Sequence, residues 1–197
     1  MKSSFINNSI TLIAKSRELT SLEEKKIRYG LEGFYNLFTK MIVMTTLAIF
    51  LKILLEYLLL MAIYSTLRLY GFGIHMKTSL QCWFTTLPIY IGGCLIIKYV
   101  HVSPIVSIIV FVLGFLSFLL FAPADTPARP LIHKEKRIRA KILSLIILTC
   151  YLILFLYVDN MMIRNTILYG IILESIAINP LTYKLFRTPY NNYKNFK

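Results

Sequence analysis

The chain of 197 residues is 57% hydrophobic, with mean hydropathy +0.66, a composition that excludes an ordinary soluble domain. Its 22 Lys and Arg outnumber 9 Asp and Glu, for a net charge of +13. The basic residues cluster between apolar runs, as in cytoplasm-facing loops over an anionic leaflet, which argues against nucleic acid as the partner.

No GxxxxGKS/T, GxGxxG or CxxC pattern occurs, so nucleotide, dinucleotide and thioredoxin-type chemistry has no support. The three cysteines, Cys82, Cys94 and Cys150, are odd in number and far apart, which argues against a disulfide framework. The N-terminus does not read as a secretory signal peptide. The pattern predicts an all-α, polytopic membrane helical bundle in a single membrane domain, 1–197.

In residues 1–40, Ile6, Ile10, Ile13 and Ala14 recur at helical spacing, and Ile27, Leu31, Phe34, Leu37 and Phe38 form a second stripe. A Thr20/Ser21 cap followed by Glu23/Glu24 separates them. The expectation is N-terminal amphipathic helices lying in the membrane interface. Residues 41–67 are apolar apart from Lys52, Glu56 and hydroxyls, long for one span and short for two. Charge resolves this. Residues 1–40 carry seven Lys/Arg, the loop 123–141 carries six, and the tail after Tyr183 carries four and no acid. All three belong on the cytoplasmic side. Apolar runs at 83–100, 104–122, 142–158 and 165–183 give four main spans. Parity then requires a short or re-entrant helical hairpin at 41–67, turning near Lys52, with a Lys52–Glu56 pair one helical turn apart at its tip. The same parity puts segment 68–82 on the cytoplasmic side.

Within 83–122, Pro88 and Gly92-Gly93 predict a kink or close helix packing, while Cys94 and Cys150 read as core residues. Glu174, an acid inside the last span, should face the bundle interior and find a partner.

Reactive residue types converge only at 68–82. His75 and Cys82 lie seven residues apart, after Gly71 and Gly73. An imidazole near a thiol can supply the thiolate that a cysteine nucleophile needs. On an unbroken helix the two would sit about 10 Å apart along the axis, too far for proton transfer. The reading therefore requires a helix break between them, which the glycines permit. Cys82 would then start the next helix, whose N-terminus, with Lys77 or Arg68, favours the thiolate. Spacing alone also fits a structural histidine and a small core cysteine. A metal site would need His75, Cys82 and His101, and His101 maps to the other face, so no metal or cofactor is expected. Ser79, Gln81 and Asp125 are candidates for a third, orienting residue, and a backbone N–H could serve an oxyanion.

The chain resembles the AgrB family of bacterial quorum-sensing proteins. The matching features are Arg68, Gly73-x-His75 with six residues before Cys82, Ala-Pro-Ala-Asp-Thr at 122–126 before a Lys/Arg run, Glu18-Leu-Thr, and Tyr29-Gly-Leu-Glu32. Gly71-Phe-Gly73 stands where members often have Gly-Gly or another small-residue stretch. The resemblance implies a membrane cysteine endopeptidase of Gram-positive bacteria, with His75 and Cys82 as the catalytic pair and Arg68 and Gly73 supporting the site. Its substrate would be an AgrD-like precursor peptide, cleaved through a Cys82 thioester and cyclised to a thiolactone or lactone. The expected setting is the plasma membrane, with both termini facing the cytoplasm; a homodimer stays open. The basic loop either attracts the acidic precursor tail or only sets topology. The main alternative is a peptide export component, for which Glu174, Lys52 and Glu56 would be the natural features; a structural adaptor is the third reading.

Overall fold

The computed structural model describes residues 2–16, 20–76, 78–127 and 130–196, leaving aside the side chains of Ser16, Ser79, Asn195 and Phe196. Glu18 and Leu19 of the Glu18-Leu-Thr motif, Lys77 and Arg129 lie outside the described residues. The described residues are mostly helical, with no strand and one isolated parallel bridge, Phe72 to Ala124, among them. Five of the helices are long and apolar enough to cross a membrane: Ser21–Phe50, Leu80–Tyr99, Pro104–Phe121, Lys134–Tyr157 and Met161–Ile178. The chain is an all-α, multi-pass membrane protein.

The chain divides into two compact units, Met1–Leu47 and Ala48–Lys197. In the first, α1 (Lys2–Ser16) runs antiparallel to the start of α2 (Ser21–Phe50). Lys2 Nζ lies 3.3 Å from Glu32 Oε2, Arg28 Nη1 donates to Asn7 Oδ1 at 3.0 Å, and the Phe5 and Tyr35 rings meet at 5.6 Å. Thr20 and Glu23 form the expected capping box. Thr20 N–H donates to Glu23 Oε2 at 2.9 Å, and Glu23 N–H donates to Thr20 Oγ1 at 3.3 Å. Leu12, Phe34, Leu37 and Phe38 stay exposed, an apolar stripe of the kind that lies in an interface.

In the second unit the helix is interrupted at Lys52, where the sequence places a turn. Lys52 adopts φ 55, its N–H bonds Ile49 O, and the Ile53 N–H bonds Ala48 O at 2.9 Å. The elements differ from a short hairpin at 41–67: α2 is one continuous helix, Ser21–Phe50, that runs through the expected boundary at residue 40, and α3 runs Leu54–Gly71. The expected Lys52–Glu56 ion pair does not form. Lys52 sits outside the helix in a left-handed conformation, so the one-turn geometry is lost. Lys98 takes its place, 4.0 Å from Glu56 Oε1 and donating to the Lys52 carbonyl.

Next come α4 (Ser79–Leu87), one π-helical turn (Pro88–Gly92) and α5 (Gly93–Tyr99), which together make one span. Pro88 has no N–H to continue the ladder and opens the wide turn; the Ile89 carbonyl, which accepts from Gly93 N–H, also accepts from Tyr169 Oη at 2.8 Å. Gly93 has no Cβ because the Tyr169 ring occupies that position. Then follow α6 (Pro104–Phe121), α7 (Lys134–Tyr157), α8 (Met161–Ile178) and α9 (Pro180–Leu185). The run expected at 165–183 is therefore broken. Asn179 caps α9 with its side chain, accepting from Leu181 N–H at 2.9 Å, and Pro180 cannot donate back to α8.

At the centre α8 packs on α3 and α6. In lipid, tail and side chain are equally apolar, so close approach and polar contacts drive helix association. The glycines serve that approach. A Cβ on Gly114 would fall on Ile171, and one on Gly170 would sit 3.1 Å from Ile63. Asn165, buried in α8, donates to the carbonyls of Ile97 at 3.0 Å and Val100 at 2.7 Å, and so ties α5 to the bundle.

Candidate active site

The helix break expected between His75 and Cys82 is present. α3 stops at Gly71, residues 72–76 are irregular, and α4 begins at Ser79. His75 lies on the irregular segment and is exposed. Cys82 is the fourth residue of α4 and is half-buried. Thr78 caps this helix. Its Oγ1 accepts from Gln81 N–H at 3.2 Å, and its carbonyl accepts from Cys82 N–H at 3.1 Å. The Cys82 side chain sits at the positive end of the α4 dipole, with Sγ 3.8 Å from Thr86 Oγ1.

The segment before His75 is held on three sides. Gly73 N–H donates to Ala124 O at 2.9 Å, and Ala124 N–H returns a bond to Gly71 O at 3.0 Å. Ile74 N–H donates to Ala177 O, near the end of α8, at 2.9 Å. From α3, Arg68 Nη2 donates to Ile74 O at 2.5 Å, one peptide from His75. Gly73 has φ +88, and a Cβ there would lie 3.1 Å from Ala177 and from Arg68 Nη1. Only glycine suits that backbone and that space.

Behind this segment lies the partner of Glu174. Its carboxylate is fully buried and 3.6 Å from Arg68 Nη1, which also donates to Tyr64 Oη at 2.9 Å. Gly71 makes room for it, since a Cβ would sit 2.4 Å from Glu174 Oε1. Arg68 thus joins α3, α8 and the irregular segment. Removing Glu174 would leave a guanidinium in the bundle without its counter-charge.

Asp125, one of the candidate orienting residues, has its carboxylate engaged by backbone. It is 1% exposed, and its two oxygens accept three backbone N–H groups, from Leu131 at 3.2 Å, Asn192 at 2.8 Å and Tyr193 at 2.9 Å. That ties the C-terminal tail to the loop carrying Ala124. Tyr183, from α9, donates to Ala124 O at 2.9 Å on the same loop. Ala-Pro-Ala-Asp-Thr is therefore a strut under the segment that carries His75. Neither Ala124 nor Tyr183 stood out in the sequence as a supporting residue; an aspartate between prolines and alanines at a membrane boundary was the available signal. Gln81 is exposed and engages the helix cap through its backbone. The Ser79 side chain lies outside the described residues. Cys94 is buried, as expected, but Cys150 is exposed on α7. No cluster of three metal-ligating side chains occurs among the described residues.

Segment 68–82, the loop 122–127 and the tail thus share one end of the second unit. Lys52, Lys98 and Glu56 mark the opposite end of α3 and α5.

A family model described as accessory gene regulator B matches residues 6–178. An AgrB-like protein of Listeria innocua is 30% identical over 175 residues, covering 87% of this chain and 84% of the relative. One from Listeria monocytogenes serotype 4a is 31% identical with the same coverage. The accessory gene regulator protein B of Staphylococcus aureus is 25% identical over 178 residues, covering 90% of this chain and 94% of the relative. No solved structure matches. With a family model matched over most of its length, the chain belongs to the accessory gene regulator B family.

Proposed function

We propose that the chain is a membrane-embedded cysteine endopeptidase that removes the C-terminal tail of an AgrD-like precursor peptide and leaves a cyclisable acyl-enzyme. Family membership supports a role in the accessory gene regulator quorum-sensing system and its autoinducer processing. The observation that carries the finer reading is the break between α3 and α4. It frees His75 from helical spacing and seats Cys82 in the first turn of the next helix.

In the proposed cycle, Cys82 thiolate attacks the carbonyl carbon that precedes the tail. A C–S bond forms, the C–N bond breaks, and the leaving amine takes its proton from His75. The substrate's own thiol or hydroxyl then attacks the thioester, giving its proton to His75 as the ring closes and Cys82 is released as thiolate. Arg68 and Gly73 fix the backbone on which His75 rides. The Gln81 and Cys82 N–H groups are committed to Thr78, so any backbone oxyanion donor in α4 comes from Ser79 or Leu80. Exclusion of water lets ring closure compete with hydrolysis, and a site at the edge of an apolar span suits that.

The basic segments near this end of the second unit favour a cytoplasmic site in a Gram-positive plasma membrane. Glu174, the main feature of the export alternative, has a positional role here through Arg68. The test is co-expression with a precursor that has an amphipathic leader, a central Cys or Ser, and an acidic tail. The parent should release the tail, while Cys82→Ala and His75→Ala should release none at equal membrane abundance. Tail release by both variants would sink the reading.

A further inference from the structure

We propose that the cleft between α6, α7 and the C-terminal tail is a binding site for one anionic phospholipid. At its mouth is a cavity of about 290 Å³ whose lining includes Leu120, Pro123, Arg137, Lys141, Tyr190 and Tyr193. Among the described residues this lining holds two cations and no carboxylate. Arg137 and Lys141 are one turn apart on the same face of α7. The Arg137 guanidinium lies 3.5 Å from the centroid of the Tyr193 ring. Tyr193 is itself positioned, because its N–H donates to buried Asp125. The cation is held in place before any ligand arrives. The nearby Asp125 carboxylate does not oppose an anion directly, since it is buried and faces backbone N–H groups.

The pocket does not end at the interface. A second, apolar groove of about 300 Å³ follows the same seam between α6 and α7, lined by Val112, Leu116, Leu148 and Leu152 among others. Leu116 lies one turn of α6 from Leu120, and Leu148 lies two turns of α7 from Lys141. A positive, aromatic-edged cavity at the end of the span and an apolar groove along the span thus lie in line on one seam. That is the complement of a phospholipid, with the phosphate against Arg137 and Lys141 and an acyl chain along the seam. A peptide carboxylate would satisfy the cations, but its backbone could not follow into the groove without leaving N–H and C=O groups unpaired in hydrocarbon. The site is independent of His75 and Cys82 and of the reaction proposed for them.

The test uses the full chain, delipidated in detergent and titrated in native mass spectrometry with phosphatidylglycerol and phosphatidylcholine of identical acyl chains. The parent should bind the first phosphatidylglycerol about tenfold more tightly. The double variant Arg137→Gln/Lys141→Gln should bring the two lipids to parity. Lys136→Gln/Arg139→Gln removes the same charge from exposed positions on the same helix and should leave the preference intact. Leu116→Trp, which fills the groove, should weaken both lipids several-fold, and sn-glycerol 3-phosphate should compete poorly. Equal affinities in the parent would overturn the proposal, as would equal loss in the two charge variants, which would mean only a general surface attraction. Full displacement by an acidic decapeptide, with Leu116→Trp without effect, would assign the cavity to peptide instead. Should the Arg137/Lys141 variant fail to fold by circular dichroism, the parent's preference and Leu116→Trp still decide.

Discussion

α6 and α8 cross the same bundle and read in opposite ways. α6 is an unbroken apolar sequence apart from two serines and a glycine, yet only about a fifth of it is buried within the protein. α8 carries Arg164, Asn165, Thr166 and Glu174, and half of it is buried. In water the more polar helix would face out. In lipid the polar groups need protein partners, and the apolar ones are content with acyl chains. Polarity therefore marks the interior here, and it leads to the site. Following contacts outward from Glu174 reaches Arg68, then Ile74, then His75.

The sharpest way to break this contrast is at Glu174. Replacement by Leu should cost about 3–5 kcal/mol by leaving Arg68 without its partner. Thermal unfolding in detergent measures that, and precursor cleavage should fall with it. Arg68→Met together with Glu174→Met should recover much of the stability but not the cleavage. If the double variant cleaves normally, the pair is not a positioning device.

Asp125→Ala comes next. Losing three bonds from a charged acceptor should cost about 2–4 kcal/mol and expose residues 186–196 to limited proteolysis. Gly71→Ala should then cost about 2 kcal/mol, because its Cβ would displace Glu174, whereas Gly92→Ala, with nothing within 4 Å, should stay within about 0.5 kcal/mol. The smallest effect belongs to the face of α6 turned outward. Ile108→Ala should change stability by less than about 1 kcal/mol, against about 3 kcal/mol for Phe118→Ala on the buried side of the same helix. Equal losses at 108 and 118 would mean that α6 is covered by protein rather than lipid.

What could be read in advance was whatever depends on local pattern. Apolar runs mark four of the five helices long enough to cross a membrane, and the glycines mark the break after Gly71, whereas Ser21–Phe50 joins residues that the pattern divides between an interfacial helix and a short hairpin. What could not be read were partnerships across the bundle. Glu174 needed a cation, but nothing along the chain chooses Arg68 over Lys52 or Lys98. The Lys52–Glu56 pair followed from spacing, and the left-handed turn that removed Lys52 from the helix overrode it. Asp125 looked like chemistry because it is an acid beside a recognised motif; its burial against three amides became visible only once the tail was folded back onto it. The end of α8 is hidden in the sequence for a different reason. Asn179-Pro180 is a stop signal by proline sterics and capping, and an apolar stretch on both sides concealed it.

That early stop has a consequence for the reactive segment. Had α8 continued, Ala177 O would have been claimed by Leu181 N–H within the helix. Pro180 ends the ladder, Asn179 Oδ1 draws the Leu181 N–H away, and Ala177 O is left to receive Ile74 N–H. Two donors thus compete for one carbonyl, and a proline more than a hundred residues downstream of His75 decides between them. Variation at 179–180 would act on the orientation of His75 without touching it, through the choice of which strand of backbone completes the helix end.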